Sequence, residues 1–291
     1  MKKSIVYQLL LLSFLSISGF VISAILYSIL VNTPLDSNTS LKITQLLQEI
    51  FVFGLPAILA WRWLSGNPIK ALLTNTIDIK SIIIAIIFII TIIPCIDILS
   101  QWNKSLHLPY FLRELENSMI ALEQQANNIT ETMLSVSTIW GLIANIVIIA
   151  LAAAICEELF FRGGVQRILA GAFNYHIAVW LTAILFSAIH LQFGGFIPRL
   201  ILGVSFGYIA IWSRSLYPSI IAHFINNGIA VLSFFLSYNN IIDIPTENFG
   251  IYTGIISLII SGTVLVYFKR HHYKTAKRAK RLACSPSTLH I

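Results

Sequence analysis

Charge is scarce in this chain. Only 11% of its 291 residues are Asp, Glu, Lys or Arg, and 57% are apolar. A soluble domain carries roughly a quarter charged residues, so this balance excludes a soluble globule and describes an all-α protein that crosses a bilayer several times. Cysteine is also sparse, and odd in number. Cys95, Cys156 and Cys284 lie far apart, which excludes a disulfide framework and a C-x-x-C metal pair. Cys156 precedes a double Glu yet reads as a small apolar filler in a membrane helix. Nothing beside Cys284 marks it for acylation. No internal repeat, low-complexity stretch or long linker divides the chain. One integrated membrane domain is expected, with N-terminal helices over 1–134, a core over 135–240, and a last helix with a basic tail over 241–291.

Long apolar runs are plentiful, each near the roughly twenty residues needed to cross the hydrocarbon core. They predict a helical bundle of about eight spans, at 5–31, 43–61, 81–99, 138–156, 175–191, 197–212, 217–237 and 250–268. The first run is about twice the roughly 7–15 residues of a signal-peptide core and lacks an A-x-A-like cleavage site. It is read as a span that stays attached. With a cytoplasmic N-terminus, one side holds Lys2, Lys3, Arg62, Lys70, Lys80, Arg162, Arg167, Arg214 and the seven basic residues between 269 and 281. Only Lys42, Lys104, Arg113 and Arg199 fall on the other side. The positive-inside rule expects this bias, and it favours an integral protein of the cell (inner) membrane with both termini cytoplasmic. The net charge of +7 then needs no nucleic-acid partner, because juxtamembrane basic clusters contact anionic lipid. The loop over about 100–137 lies outside in this topology. It places Leu108, Leu112, Leu115, Met119, Leu122 and Ala126 at helical spacing, with Glu114, Glu116, Glu123 and Glu131 nearby. A helix lying along the outer interface is expected.

Three polar patterns interrupt three consecutive apolar segments: Glu157-Glu158 with Arg162, Phe186 with His190, and His223 with Asn227. Acids and histidines are costly inside a bilayer and persist there mainly when pairing or function retains them. Glu158 and Arg162 are four apart with the acid first, so they can pair on one helix face. Glu157 points about 100° away and is left as the chemical candidate. Taken alone, two acids and an arginine at a helix end are as readily structural. Phe186 shares a face with His190, and a lone imidazole there is more often hydrogen-bonded than a ligand. His223 and Asn227 also share a face, and an amide at such depth needs a partner. At 1.5 Å per residue, Glu157 and His223 both fall in the cytoplasmic half. His190 falls too far outward, unless the fifth helix begins near Gly171 or the stretch 191–195 re-enters the membrane. Gly203 and Gly207 form a G-x-x-x-G that lets helix backbones approach closely.

In this order on neighbouring spans, E-E-x-x-x-R, F-x-x-x-H and H-x-x-x-N resemble the CPBP intramembrane proteases. That family includes the type II CAAX prenyl endopeptidases and bacteriocin-processing membrane proteins. The run Glu157-Glu158-Leu159-Phe160-Phe161-Arg162-Gly163 and the Ser219-Ile220-Ile221-Ala222 lead into His223 belong to the same likeness, which covers roughly 135–240. The resemblance implies that Glu157 activates water with His190 as partner. It implies that His223 and Asn227 complete the site, and that Glu158 and Arg162 brace it, with Phe186 beside His190. The substrate would be a membrane-associated peptide or protein, with lipidation as one option. Two wirings suit these residues. In one, Glu157 and His190 polarise a water while His223 and Asn227 donate to the oxyanion. In the other, Glu157, His190 and His223 hold a divalent ion such as Zn²⁺, leaving an open position for water. No H-E-x-x-H forces the second, so the metal-free wiring is preferred. A membrane scaffold whose polar cluster is structural is the main competing class. A proton-coupled transporter is disfavoured by the lack of inverted repeats.

Overall fold

The computed structural model describes residues 4–65, 78–242 and 249–283, and no strand occurs among them. Of the residues named above, Lys2, Lys3, Lys70 and Cys284 lie outside this set. The chain is a polytopic helical membrane bundle. Its helices are α1 (Ile5–Leu30), α2 (Ser37–Leu64), α3 (Ile79–Lys104), α4 (Arg113–Leu134), α5 (Ile139–Leu169), α6 (Tyr175–Ala188), α7 (Phe196–Ser213), α8 (Tyr217–Tyr238) and α9 (Ile251–Ala283). Local chemistry sets their starts. The side chains of Ser4, Asp36, Thr138 and Asn174 each accept a backbone N–H from the first turn that follows, which satisfies donors that a helix leaves open. Pro218 opens α8, where a missing N–H has no cost. At the far end of α7, Arg214 adopts a left-handed conformation at φ 54° and stops the helix.

Among the described residues, seven segments are long and apolar enough to cross a membrane. The fifth expected span differs: α6 has only 14 residues, about 21 Å at 1.5 Å each, against a hydrocarbon core of about 30 Å. It starts at Tyr175, so it is not extended back to Gly171. Instead, the turn over 189–195 that carries His190 is clamped by distant side chains. Asn103, 2% exposed, donates to Phe193 O at 2.6 Å and accepts from Ile197 N at 2.9 Å. Glu123 accepts from Gly194 N at 2.9 Å, and Gln192 donates to Asn127 at 3.0 Å. Irregular backbone survives at membrane depth only where protein groups satisfy it in this way. The helix expected in the long loop, α4, therefore does more than lie along an interface. It turns Glu116, Met119, Glu123 and Ala126 toward the bundle and leaves Leu115 and Leu122 exposed.

The core is built around α3, which packs against α7, α8 and α9. Ile84, Phe88, Ile89 and Ile92 meet Phe206, Ile209, Ala222 and Phe268 there. A second cluster joins Leu12, Ala60, Phe161, Val165, Ala178 and Phe186. Among the described residues, three stretches abandon regular α winding for the wider π form: 49–54 in α2, and 146–152 and 159–165 in α5. Such widening disturbs the carbonyl ladder, and the bilayer offers no water to repair it. In each stretch one carbonyl takes a side-chain donor from another helix. Ser16 Oγ donates to Val52 O at 2.9 Å, Asn227 Nδ2 to Ile149 O at 3.4 Å, and Trp61 Nε1 to Gly163 O at 2.9 Å. Gly19 allows the first of these approaches, since a Cβ there would fall 1.7 Å from Phe51 O.

Candidate active site

The polar face of α5 is locked onto α7. Arg162 Nη2 donates to Gly203 O at 3.0 Å, and one turn later Gln166 Nε2 donates to Gly207 O at 3.1 Å. The G-x-x-x-G pair packs as its spacing predicts and also bares two carbonyls to these side chains. A Cβ at Gly207 would stand 2.6 Å from Gln166 Oε1 and 2.9 Å from Val179 Cγ1. One at Gly203 would stand 3.2 Å from both Ala183 Cβ and Phe186 Cδ1. The Arg162 guanidinium lies over two rings, 4.6 Å from the centre of Phe186 and 5.5 Å from that of Phe206. Such contacts favour a desolvated cation.

The adjacent acids occupy different surroundings. Glu158 Oε1 sits 2.7 Å from Arg162 Nη1, and both side chains are wholly buried. The same oxygen is 3.1 Å from His223 Nδ1. Glu158 is thus committed to two partners, in the bracing position that its spacing suggests. Glu157 Oε2 is 3.8 Å from His223 Nε2, beyond direct hydrogen-bond reach, and receives no hydrogen bond from the protein.

The partners determine the imidazole tautomers. His190 Nδ1 is 2.7 Å from Phe186 O. A carbonyl only accepts, so Nδ1 carries the hydrogen and Nε2 keeps its lone pair. His223 Nδ1 faces a carboxylate already paired with an arginine, so it donates as well. Its ring stacks on Phe206 at 5.2 Å and 21°, and meets the edge of Phe186 at 5.8 Å and 84°. Phe186 also touches the His190 ring at 5.1 Å and 69°. One phenyl ring therefore stands against both histidines and Arg162.

Glu157 and His190 line one cavity of about 620 Å³ between α1, α2, α5 and α6. Its walls are largely apolar, with Leu12, Ile17, Phe20, Phe160 and Leu185 among them. His223 stands behind Glu157 and is not part of the lining. Asn227 is engaged elsewhere: it donates to Ile149 O and accepts from Asn226 Nδ2 at 3.1 Å. The structure thus links Glu157, Glu158, Arg162, Phe186 and His223 into one chain of contacts through His223 and Arg162. It adds His190 through Phe186 and turns the Asn227 amide to the backbone.

Three residues of this region escape a motif-based reading: Gln166, Phe206 and Glu49. Gln166 repeats the position of Arg162 one turn on. Glu49 is the single acid within its predicted span, a signal in its own right. Among the described residues, no three His, Cys, Asp or Glu side chains are arranged to hold a metal ion. With Phe186 between the two imidazoles and His223 turned toward both acids, the ligand set of the alternative wiring, Glu157, His190 and His223, is not gathered as an ion site.

Residues 139–229 match the family model of the Rce1-like type II CAAX prenyl endopeptidases. The stretch runs from the start of α5 well into α8 and contains all three motifs, so the resemblance drawn from them stands over this part of the chain. No curated protein and no solved structure matches the chain.

Proposed function

We propose that this protein is an intramembrane endopeptidase that hydrolyses a peptide bond in a membrane-associated substrate, with Glu157 as the base. One observation carries the proposal: Glu157 and His190 face a common cavity, while the neighbouring Glu158 is consumed by Arg162 and His223. The similarity of 139–229 to type II CAAX prenyl endopeptidases supports the same reaction class.

Hydrolysis needs an activated water, a stabilised oxyanion and a proton for the leaving amine. Glu157 takes one proton from the water as its oxygen attacks the carbonyl carbon. His190 Nε2 accepts a hydrogen bond from the other O–H, which stays on the attacking oxygen, and so orients the nucleophile. The proton held by Glu157 then passes to the departing nitrogen as the C–N bond breaks. His223 Nε2, 3.8 Å behind Glu157 Oε2, has to turn past that carboxylate to reach the cavity, where it donates toward the oxyanion. Asn227 joins as a second donor by releasing its 3.4 Å contact to Ile149 O, a long bond that is readily exchanged. Glu158 and Arg162 hold His223 in place. The scheme needs no metal ion.

The substrate in this reading is a peptide or protein segment within the membrane, lipidated or not. The protein sits in the cell (inner) membrane with both termini cytoplasmic, in keeping with the distribution of its basic residues. Glu157→Gln and His190→Ala should each abolish cleavage while the protein stays inserted and abundant. The check is a comparison of peptide termini in membranes of cells carrying wild-type and variant protein. Near-normal processing by either variant defeats the assignment of roles. Chelators should leave turnover intact, and zinc-reversible inhibition would overturn the metal-free scheme.

A further inference from the structure

The cavity at Glu157 holds a second acid that none of the three motifs contains. Glu49 opens the π stretch of α2 and is 3% exposed. One π turn on, Gly54 lets α2 press against α5 beside Glu157, since a Cβ there would lie 2.8 Å from Cys156 Sγ. Glu49 therefore lines the same cavity as Glu157 and His190, next to Gln45 and Gln48. Its Oε1 accepts from Gln45 Nε2 at 2.8 Å. Its buried Oε2 receives no hydrogen bond from the protein.

Beside the Gln48 amide and the Ser13 hydroxyl, this polar end gathers acceptors. It offers Glu49 Oε2, the Glu157 carboxylate and the Nε2 lone pair of His190. No lysine or arginine is among the lining residues. Of the nearby cations, Arg162 is engaged by Glu158 and Gly203 O, while Arg199 stands outside the lining, gives Nη2 to Gln192 and keeps a buried Nη1 without a partner. The Gln45 amide is spent on Glu49. The buried Glu49 Oε2, left without a donor, is unfavourable, and an acid in an apolar cavity attracts a cation whose charge it can neutralise. The remaining wall, from α1, α2, α5 and α6, suits a hydrocarbon or apolar peptide segment.

We propose that this cavity binds a cationic amphiphile, an apolar segment ending in a primary ammonium or guanidinium, with Glu49 as the counter-charge. The substrate segment drawn toward Glu157 then carries a Lys or Arg beside apolar residues. As an account of substrate choice this rests on the hydrolytic function proposed for the site, whereas the binding itself does not.

The test uses the full chain purified in a nonionic detergent and three probes with one common tail: dodecylammonium, dodecylguanidinium and dodecanol. Thermal unfolding is followed as each is titrated. A charge-assisted hydrogen bond predicts that both cations act at about ten-fold lower concentration than the alcohol. Glu49→Gln should erase that preference, and Glu157→Gln should keep it. Equal responses to cation and alcohol in the wild-type protein, or a preference unchanged in Glu49→Gln, would overturn the proposal. Should Glu49→Gln fail to accumulate, the wild-type comparison decides alone. Hydrolysis stands or falls separately, on whether Glu157→Gln alters peptide termini in cells, whatever the probes do.

Discussion

Two long apolar helices of this protein, α1 and α7, are used in opposite ways. In the span containing α7, 56% of the apolar window is buried, against 17% in α1. Helix α7 takes hydrogen bonds from Arg162 and Gln166 on its own carbonyls and packs on α3, α6 and α8. Helix α1 buries only Leu12, Gly19 and Ser23 and leaves Leu10, Phe14, Ile17 and Phe20 exposed. The contrast separates two tasks. The segment with family similarity holds charges still, while the N-terminal helices shape the wall against which a ligand rests.

That division of labour can be broken most severely at its charged anchor. Arg162→Leu leaves Glu158 buried opposite no cation, a change that costs about 3–5 kcal/mol in comparable buried pairs. Little folded protein should then survive solubilisation, as read by thermal unfolding in detergent. Replacing both Glu158 and Arg162 with leucine should recover much of the loss, because the uncompensated charge is gone.

The same substitution at two glycines sharpens the comparison. Overpacking costs roughly 1–3 kcal/mol. Gly207→Val should fall at the upper end, since Gln166 and Val179 are held by α5 and α6. Gly19→Val meets a harder obstacle, the Phe51 carbonyl, yet should cost less because α1 is free to tilt away. If the variant in α1 proves the more damaging, the picture of a loosely held wall is wrong. The smallest stability effect is expected at Glu157 itself. Glu157→Gln should be neutral or slightly stabilising, as is common when a catalytic group is removed. A clear drop in unfolding temperature would instead favour a polar cluster that merely cross-links helices.

Much of this arrangement is legible before any coordinates. Apolar runs outline the bundle, four-residue spacing couples Glu158 to Arg162, and three ordered patterns point to one family segment. Other parts leave no local trace. The apolar run over 175–191 hides a helix that stops at Ala188, because Asn103 and Glu123, which clamp the next turn, lie far away in the chain. The π stretches have no compositional signature. For that reason Asn227 reads as a donor for chemistry, while the fold gives its amide to Ile149 O. Glu49 is visible as a solitary acid in its span, but its nearness to Glu157 depends on how α2 and α5 pack.

The wide turns on either side of Glu157-Glu158 also act as angular spacers. Each holds one residue more than a regular turn would, and removing that residue would swing everything beyond it by about 100°. Losing one position between 159 and 165 would carry Gln166 off its carbonyl while every side chain stayed chemically unchanged. Trp61 and Asn227 thus serve as wedges that keep the dial set, and the aim of the acids depends on winding as much as on residue identity.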